Sequence, residues 1–267
     1  MYPTLATVFG IPLTSYYIFW TLALCIGVLW TQRRAVLNFD VDIDAVSSVI
    51  TWSFVAMLAG ARIGGYFDNW SYYAAHPDRI WMFWEGGLSS TPAFLGAGIA
   101  GILLCRKKGI PVWKLADAAS VPAAATYVVG RVGCFLNGCC SGFRTSCPLG
   151  IHFPADPHGV LRHPTQLYYS AISVGILLVL LAVERRMRCA TRPQGAVLWP
   201  LFMVLFGAMR FVVDTLREGD RFFGLRVGQI VGLGVLVLGA IWLARTLLFA
   251  PRAECGGEDG PGGENEK

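Results

Sequence analysis

Apolar residues run with little interruption over seven stretches of this chain, near residues 15–32, 44–67, 87–105, 114–137, 165–184, 195–216 and 227–249, and short polar segments separate them. Each stretch is close to the roughly 20 residues that a helix needs to cross the hydrocarbon core of a bilayer. The pattern therefore predicts an all-α integral membrane protein with about seven transmembrane helices, residues 1–250 forming a single polytopic domain. Composition agrees: of 267 residues, 55% are hydrophobic and 15% charged, and the mean hydropathy is +0.53. An ordinary globular domain is less apolar and more charged than this. The first eight residues lack the basic segment of a signal peptide, so the first apolar run is expected to be kept as a span. Residues 251–267 are dominated by Gly and Glu. They cannot bury a core and are expected to form a disordered, acidic, cytoplasmic tail.

The net charge of +5 is small and sits in short clusters: Arg33-Arg34, Arg106-Lys107-Lys108, Arg185-Arg186-Met187-Arg188 with Arg192, and Arg245 with Arg252. These follow the first, third, fifth and seventh stretches. By the positive-inside rule the N-terminus lies outside and the C-terminus in the cytoplasm. Such charge speaks of topology and anionic lipid, not nucleic acid. Tyr72, Tyr73, Trp81 and Trp84 read as an interfacial aromatic belt.

Three arginines lie within the apolar stretches or at their edges: Arg62 in Gly60-Ala61-Arg62-Ile63-Gly64, Arg131 in Gly130-Arg131-Val132-Gly133, and Arg210 in Gly207-Ala208-Met209-Arg210. The topology carries all three toward the outer ends of the second, fourth and sixth spans. Guanidinium groups gathered in one layer repel one another unless an anion sits among them, and their fork matches phosphate oxygens in a bidentate way. A lipid phosphate in the outer leaflet is the natural anion. The plain alternative is that each long side chain snorkels to the interface. Phe206, Arg210, Asp214 and Arg217, at i, i+4, i+8 and i+11, are expected to share one helical face, with Asp214 as a buried partner of Arg210 or Arg217.

Four of the eight cysteines, Cys134, Cys139, Cys140 and Cys147, cluster in the segment after the fourth span. On an oxidising outer face such a cluster favours one or two disulfides. Adjacent Cys139 and Cys140 seldom bond to each other, which leaves Cys147 as the partner of one of them. Zinc ranks behind, because the spacing is not of the paired Cys-x2-Cys kind, and no cofactor or metal is expected. Cys25, Cys105, Cys189 and Cys255 read as small apolar residues or plain thiols.

The stretch Gly130-Arg131-Val132-Gly133-Cys134-Phe135-Leu136-Asn137-Gly138 resembles the signature of the prolipoprotein diacylglyceryl transferases, Gly-Arg-hydrophobic-Gly-Asn-Phe-hydrophobic-Asn-Gly. Further matches fall in the same order along the chain: Gly60-Ala61-Arg62-Ile63-Gly64, Trp84-Glu85-Gly86-Gly87-Leu88-Ser89, Arg162-His163-Pro164-Thr165-Gln166-Leu167-Tyr168, Arg210-Phe211-Val212-Val213-Asp214 with Arg217, and Gly228-Gln229-Ile230. The resemblance implies an enzyme of the bacterial inner membrane. It would move the diacylglyceryl group of phosphatidylglycerol onto the lipobox cysteine of a lipoprotein precursor, releasing glycerol phosphate. Its partners would be that lipid, the precursor peptide and membrane lipids.

By the same resemblance Arg131 and Arg210 hold the headgroup phosphate and stabilise the departing charge, and Tyr17 corresponds to a functional tyrosine of the first span. Arg62, Cys134, Asn137, Gln166, Phe206, Asp214 and Arg217 join Arg131 as candidate substrate contacts. The chain departs from the family pattern where a catalytic histidine is expected: Ser90, Thr91, Pro92 and Ala93 stand there. Cys134 replaces the signature asparagine, Cys139 an acidic position and Phe206 a tyrosine. A threonine hydroxyl cannot act as a base near neutral pH. His163 is the nearby imidazole that could replace it, against the plainer reading of a loop histidine that orients the Pro164 turn. Two other functions fit the same residues: a non-catalytic or transport protein that binds anionic phospholipid, and a membrane thiol-redox protein using the outer cysteines.

Overall fold

The computed structural model describes residues 2–8, 11–82, 87, 89–154, 156–157, 159–189, 196–218, 221–222 and 224–249. The predicted tail therefore lies outside the described residues. Packing divides the chain into two compact units, residues 4–133 and residues 1–3 with 134–267.

The first unit opens on a feature the hydropathy pattern does not announce, an antiparallel pair of strands, β1 (Thr4–Val8) and β2 (Ile11–Thr14). Helix α1 (Ser15–Phe39) follows directly and ends where Asp40 takes a left-handed conformation, φ 51°. Asp42 then caps α2 (Ile43–Asp68), its carboxylate accepting from the Ala45 backbone N–H at 2.8 Å; a side-chain oxygen here satisfies one of the donors a helix start leaves open. A short helix α3 (Trp70–Ala75) and a 3-10 turn (Pro77–Trp81) lead on toward α4 (Ser90–Lys107). Helix α5 (Val112–Asn137) carries Pro122 in its interior.

Helices α2 and α4 pack along their length. A Cβ on Gly60 would sit 2.5 Å from the Pro92 carbonyl oxygen, so the two backbones approach only because that residue is glycine. Between the helix ends is a small core of Ala35, Phe39, Val41, Val46, Val49, Cys105, Ile110 and Ala118. Arg34, one of the charges counted for topology, is 5% exposed. Its guanidinium donates to the carbonyls of Ala118 at 2.9 Å and Asp117 at 3.3 Å.

The second unit contains α6 (Thr165–Cys189), α7 (Leu198–Val213), a 3-10 turn (Asp214–Leu216), the two-residue strands β3 (Arg221–Phe222) and β4 (Leu225–Arg226), and α8 (Val227–Phe249). Helices α7 and α8 meet closely at Gly207, whose missing Cβ would lie 2.6 Å from the Gly232 carbonyl oxygen. The segment joining α5 to α6 is tied by backbone bonds: Gly142 N–H to His163 at 2.9 Å, Phe143 N–H to Leu216 at 2.8 Å, Thr145 N–H to Leu161 at 2.9 Å and Ile151 N–H to Arg162 at 3.0 Å.

The chain is thus largely helical. Among the described residues, five helical segments are long and apolar enough to cross a membrane: Ile43–Asp68, Val112–Asn137, Thr165–Met187, Leu198–Leu216 and Val227–Phe249. The other two predicted stretches coincide with α1 and α4. The latter is 18 residues long and ends on Arg106 and Lys107.

Candidate functional site

The second unit concentrates charge where α7 stops. Asp214, only 3% exposed, begins the 3-10 turn. The Tyr169 hydroxyl of α6 donates to its Oδ1. Arg210 Nε lies 3.6 Å from Oδ2, one helical turn back, and Arg217 Nη1 lies 3.7 Å from Oδ1. Arg226 donates to the backbone carbonyls of Asp214 and Thr215 and stacks over the Phe143 ring, 4.5 Å from its centroid. Gly228 makes room for this carboxylate: a Cβ there would fall 1.8 Å from Oδ2. The expectation that Phe206, Arg210, Asp214 and Arg217 share one helical face needs correction. Arg217 lies beyond the helix in extended backbone (φ −98°, ψ 152°), because α7 tightens into the 3-10 turn. Asp214 still reaches both arginines. Arg210 approaches it through Nε, and among the described residues the two terminal nitrogens of Arg210 make no hydrogen bond. Phe206 stacks against Phe202 with ring centroids 5.4 Å apart.

The α5 signature straddles both units. In the first unit Arg131 is 8% exposed, donates from Nη2 to the Tyr127 hydroxyl and lies over the Tyr127 ring at 4.6 Å. Its neighbouring glycines serve helix packing: a Cβ on Gly130 would meet the Trp20 ring at 2.8 Å, and one on Gly133 would meet Phe19 Cβ at 2.5 Å. Arg62, 6% exposed, donates to the Tyr73 hydroxyl at 3.1 Å and the Arg79 carbonyl at 2.5 Å. Tyr73 is therefore a buried partner of Arg62, not an interfacial residue as predicted; Tyr72 and Trp81 are exposed. Trp84 and most of the Trp84–Leu88 motif lie outside the described residues. Tyr17 is exposed on the first turn of α1, and Thr91 is exposed on the first turn of α4.

In the second unit Cys134 and Asn137 close α5, and the chain then turns back on itself. Gly138 and Cys140 both take left-handed backbone, φ 76° and 65°, a conformation that costs a side-chain-bearing residue about 1 kcal/mol or more. The result brings the sulfurs of Cys134, Cys139 and Cys140 within 4.8 Å of one another. No disulfide joins Cys139 or Cys140 to Cys147 here, which differs from the sequence expectation. The turn directs Cys139 back toward α5, its Sγ 3.6 Å from the Cys134 carbonyl oxygen, while the Cys147 N–H is held by Thr145 Oγ1 at 3.1 Å. Hydrogen bonding to the Cys134 and Cys140 thiols, with burial adding to it, pushes the Cys139 thiol well above its ordinary value.

The first residues of α6 fix this turn. Thr165 Oγ1 donates to the Cys140 carbonyl at 2.8 Å and Gln166 Nε2 to the Cys139 carbonyl. Both side chains are fully buried, and Gln166 Oε1 has no hydrogen-bond partner among the described residues. His163 Nδ1 is 3.3 Å from the Tyr168 hydroxyl. Arg162 anchors the loop through Asp156 at 2.7 Å and Glu218 at 2.8 Å, and Arg162 holds the Asp156 carboxyl below its usual range.

A family model described as prolipoprotein diacylglyceryl transferase matches residues 3–245. The chain belongs to the prolipoprotein diacylglyceryl transferase family. A phosphatidylglycerol–prolipoprotein diacylglyceryl transferase of Geobacter sulfurreducens is 38% identical to this chain over 203 residues, 73% of the chain and 76% of that protein. One from Bradyrhizobium diazoefficiens is 30% identical over 240 residues (83% and 84%), and one from Synechococcus elongatus 28% over 270 residues (96% and 93%). Of the residues the diacylglyceryl transferase motifs single out, the structure brings together Asp214 with Arg210 and Arg217, and Gln166 with Cys139. Sequence reasoning missed Arg226 and Tyr169 at the Asp214 node. The first sits in a short strand and the second on an apolar helix face, where neither carries a pattern that separates it from ordinary core or loop.

Proposed function

We propose that this chain is a membrane-embedded diacylglyceryl transferase that joins the diacylglyceryl group of phosphatidylglycerol to the lipobox cysteine thiol of a lipoprotein precursor. Family membership supports the reading, and within the chain one observation carries it. Arg210 Nε lies 3.6 Å from an oxygen of buried Asp214, while its terminal nitrogens make no hydrogen bond to other described residues. That leaves the fork of the guanidinium available to two oxygens of a phosphate.

The reaction forms a carbon–sulfur bond and breaks a carbon–oxygen bond, whose electron pair leaves with the phosphate. Arg210 and Arg131 would hold that phosphate and stabilise its growing charge. Arg217, Arg62, Asn137, Gln166 and Phe206 are proposed lipid or peptide contacts. Tyr17 and His163 are proposed participants in proton transfer. The seven long helices are proposed to cross the bacterial inner membrane as one domain, N-terminus outside, which carries the three arginines to the outer leaflet.

Purified protein mixed with phosphatidylglycerol and a lipobox peptide should give a thioether-linked diacylglyceryl peptide. Arg210→Ala and Arg131→Ala should each lower its rate at least ~100-fold, the scale of losing a preorganised charge partner. Wild-type rates in both variants would remove the reading. Thr91, standing where the resemblance expects histidine, favours a second reading: a protein that binds anionic phospholipid without transfer. Lipid binding with no thioether at any pH would select it.

A further inference from the structure

Apart from Cys134 as a candidate substrate contact, the sulfur cluster at the end of α5 has no place in the mechanism above, and its construction is specific. Three thiols from a seven-residue stretch converge within 4.8 Å. Cys134 is 3% exposed. The turn that delivers the other two is held by Thr165 and Gln166 and contains a left-handed Cys140, φ 65°. Around a tetrahedral zinc ion with bonds of about 2.3 Å, sulfurs stand roughly 3.8 Å apart, so small side-chain rotations would seat all three on one ion. A disulfide would use only two of them.

We propose that Cys134, Cys139 and Cys140 form a three-thiolate site for one divalent zinc-type ion, whose fourth position receives the thiol of the acceptor peptide. Thiolates select soft and borderline metals over magnesium or calcium, and sites with three protein ligands keep one position open for a reactant. The role rests on the transferase reading. It also answers a difficulty of that reading: Thr91 cannot take the acceptor proton, whereas a metal deprotonates a thiol that binds it. The steps balance without a redox partner. The acceptor thiol binds the ion and its proton passes to water; the bound sulfur attacks the glycerol carbon; the C–O pair departs with the phosphate; the neutral thioether, a weak ligand, leaves the ion.

The test uses the full-length protein in detergent, with Co²⁺ as a spectroscopic stand-in for zinc. One equivalent should bind with an intense thiolate-to-cobalt band in the near ultraviolet. Cys134→Ser, Cys139→Ser and Cys140→Ser should each weaken binding at least 100-fold, and Cys147→Ser should leave it unchanged. Thermal unfolding of the metal-free variants separates lost ligation from lost folding. On the same samples, chelation should slow diacylglyceryl transfer to the lipobox peptide at least tenfold near pH 7, and Zn²⁺ should restore it. The metal-free rate should climb with pH toward the thiol's own range, about 8.5. Absence of the cobalt band, or a disulfide among these cysteines by mass, overturns the site. Transfer that ignores chelation overturns the thiol-binding role. A cobalt band in a protein that transfers nothing under any metal condition keeps the site and removes the transferase reading.

Discussion

Asp214 is a carboxylate with almost no exposure to water, at the end of an apolar helix, and four side chains gather around it. Tyr169 donates to it, Arg210 and Arg217 pair with it, and Arg226 is tied to its backbone carbonyl. Removing one partner of a buried pair costs more than the pair contributes, because the survivors keep uncompensated charge. Asp214→Ala should therefore lower stability by about 3 kcal/mol, read as a clear fall in the unfolding midpoint in detergent. An unchanged midpoint would show that the arginines are solvated independently. Gly228→Ala tests the same node from the other side. Its Cβ would overlap Oδ2 at 1.8 Å, so it should displace the carboxylate and reduce transfer through Arg210, while Asp214→Glu should fail to restore the pair because the space is already filled.

At the scale of elements, the helices follow from apolar runs of spanning length, and that is why their positions were legible along the chain. What joins them was not. Gly130 and Gly133, on either side of Arg131, face Trp20 and Phe19; a missing Cβ looks the same in sequence whether a ring or a ligand fills the space. The pairing of β1 with β2 also escaped notice, since four- and five-residue strands beside a long helix leave little periodicity. The close helix contacts give a direct test. Gly207→Ala places a methyl 2.6 Å from backbone atoms that cannot yield and should cost about 1–3 kcal/mol by overpacking. Gly234→Ala on α8, with nothing within 4 Å, should be neutral or stabilising by up to about 1 kcal/mol through helix propensity. Equal effects in the two would mean that the α7–α8 contact is not tight. The loop from α5 to α6 carries its own pH dependence. Arg162 depresses the folded-state Asp156 carboxyl, so the pair's contribution is present above the unfolded value of about 3.9 and is lost as pH falls through the lower folded one. Amide exchange in residues 142–163 should accelerate over that acid range, and Asp156→Asn should show the faster exchange already at neutral pH.

For the molecule as a whole, the balance of charge between the two membrane faces is the strongest remaining statement the chain makes. Arg33-Arg34, Arg106-Lys107-Lys108, Arg185-Arg186 and Arg245 fall at the C-terminal ends of alternate long helices, and the arginines assigned to phosphate fall toward the C-terminal ends of the helices between them. Arg34 weakens the first cluster, because its guanidinium donates to carbonyls of α5. The proposed transfer joins a precursor delivered across the membrane to an outer-leaflet lipid, so it predicts that these arginines lie at the outer face. Reporter fusions after Lys107 and after Phe249 should therefore read cytoplasmic, and one within residues 144–153 should read external. A cytoplasmic signal from that loop would place Arg210, Asp214 and the three thiols on the wrong side for such an acceptor, whatever their local geometry. Moving the charge provides the complementary measurement. Replacing Arg106, Lys107 and Lys108 with glutamine together should loosen the orientation of α4 and raise the fraction of chains with a mixed reporter signal, since basic residues close to a span end set its direction. The same change should leave cobalt binding at the cysteines intact in correctly inserted chains, because none of the three lysine-rich positions lies in their unit.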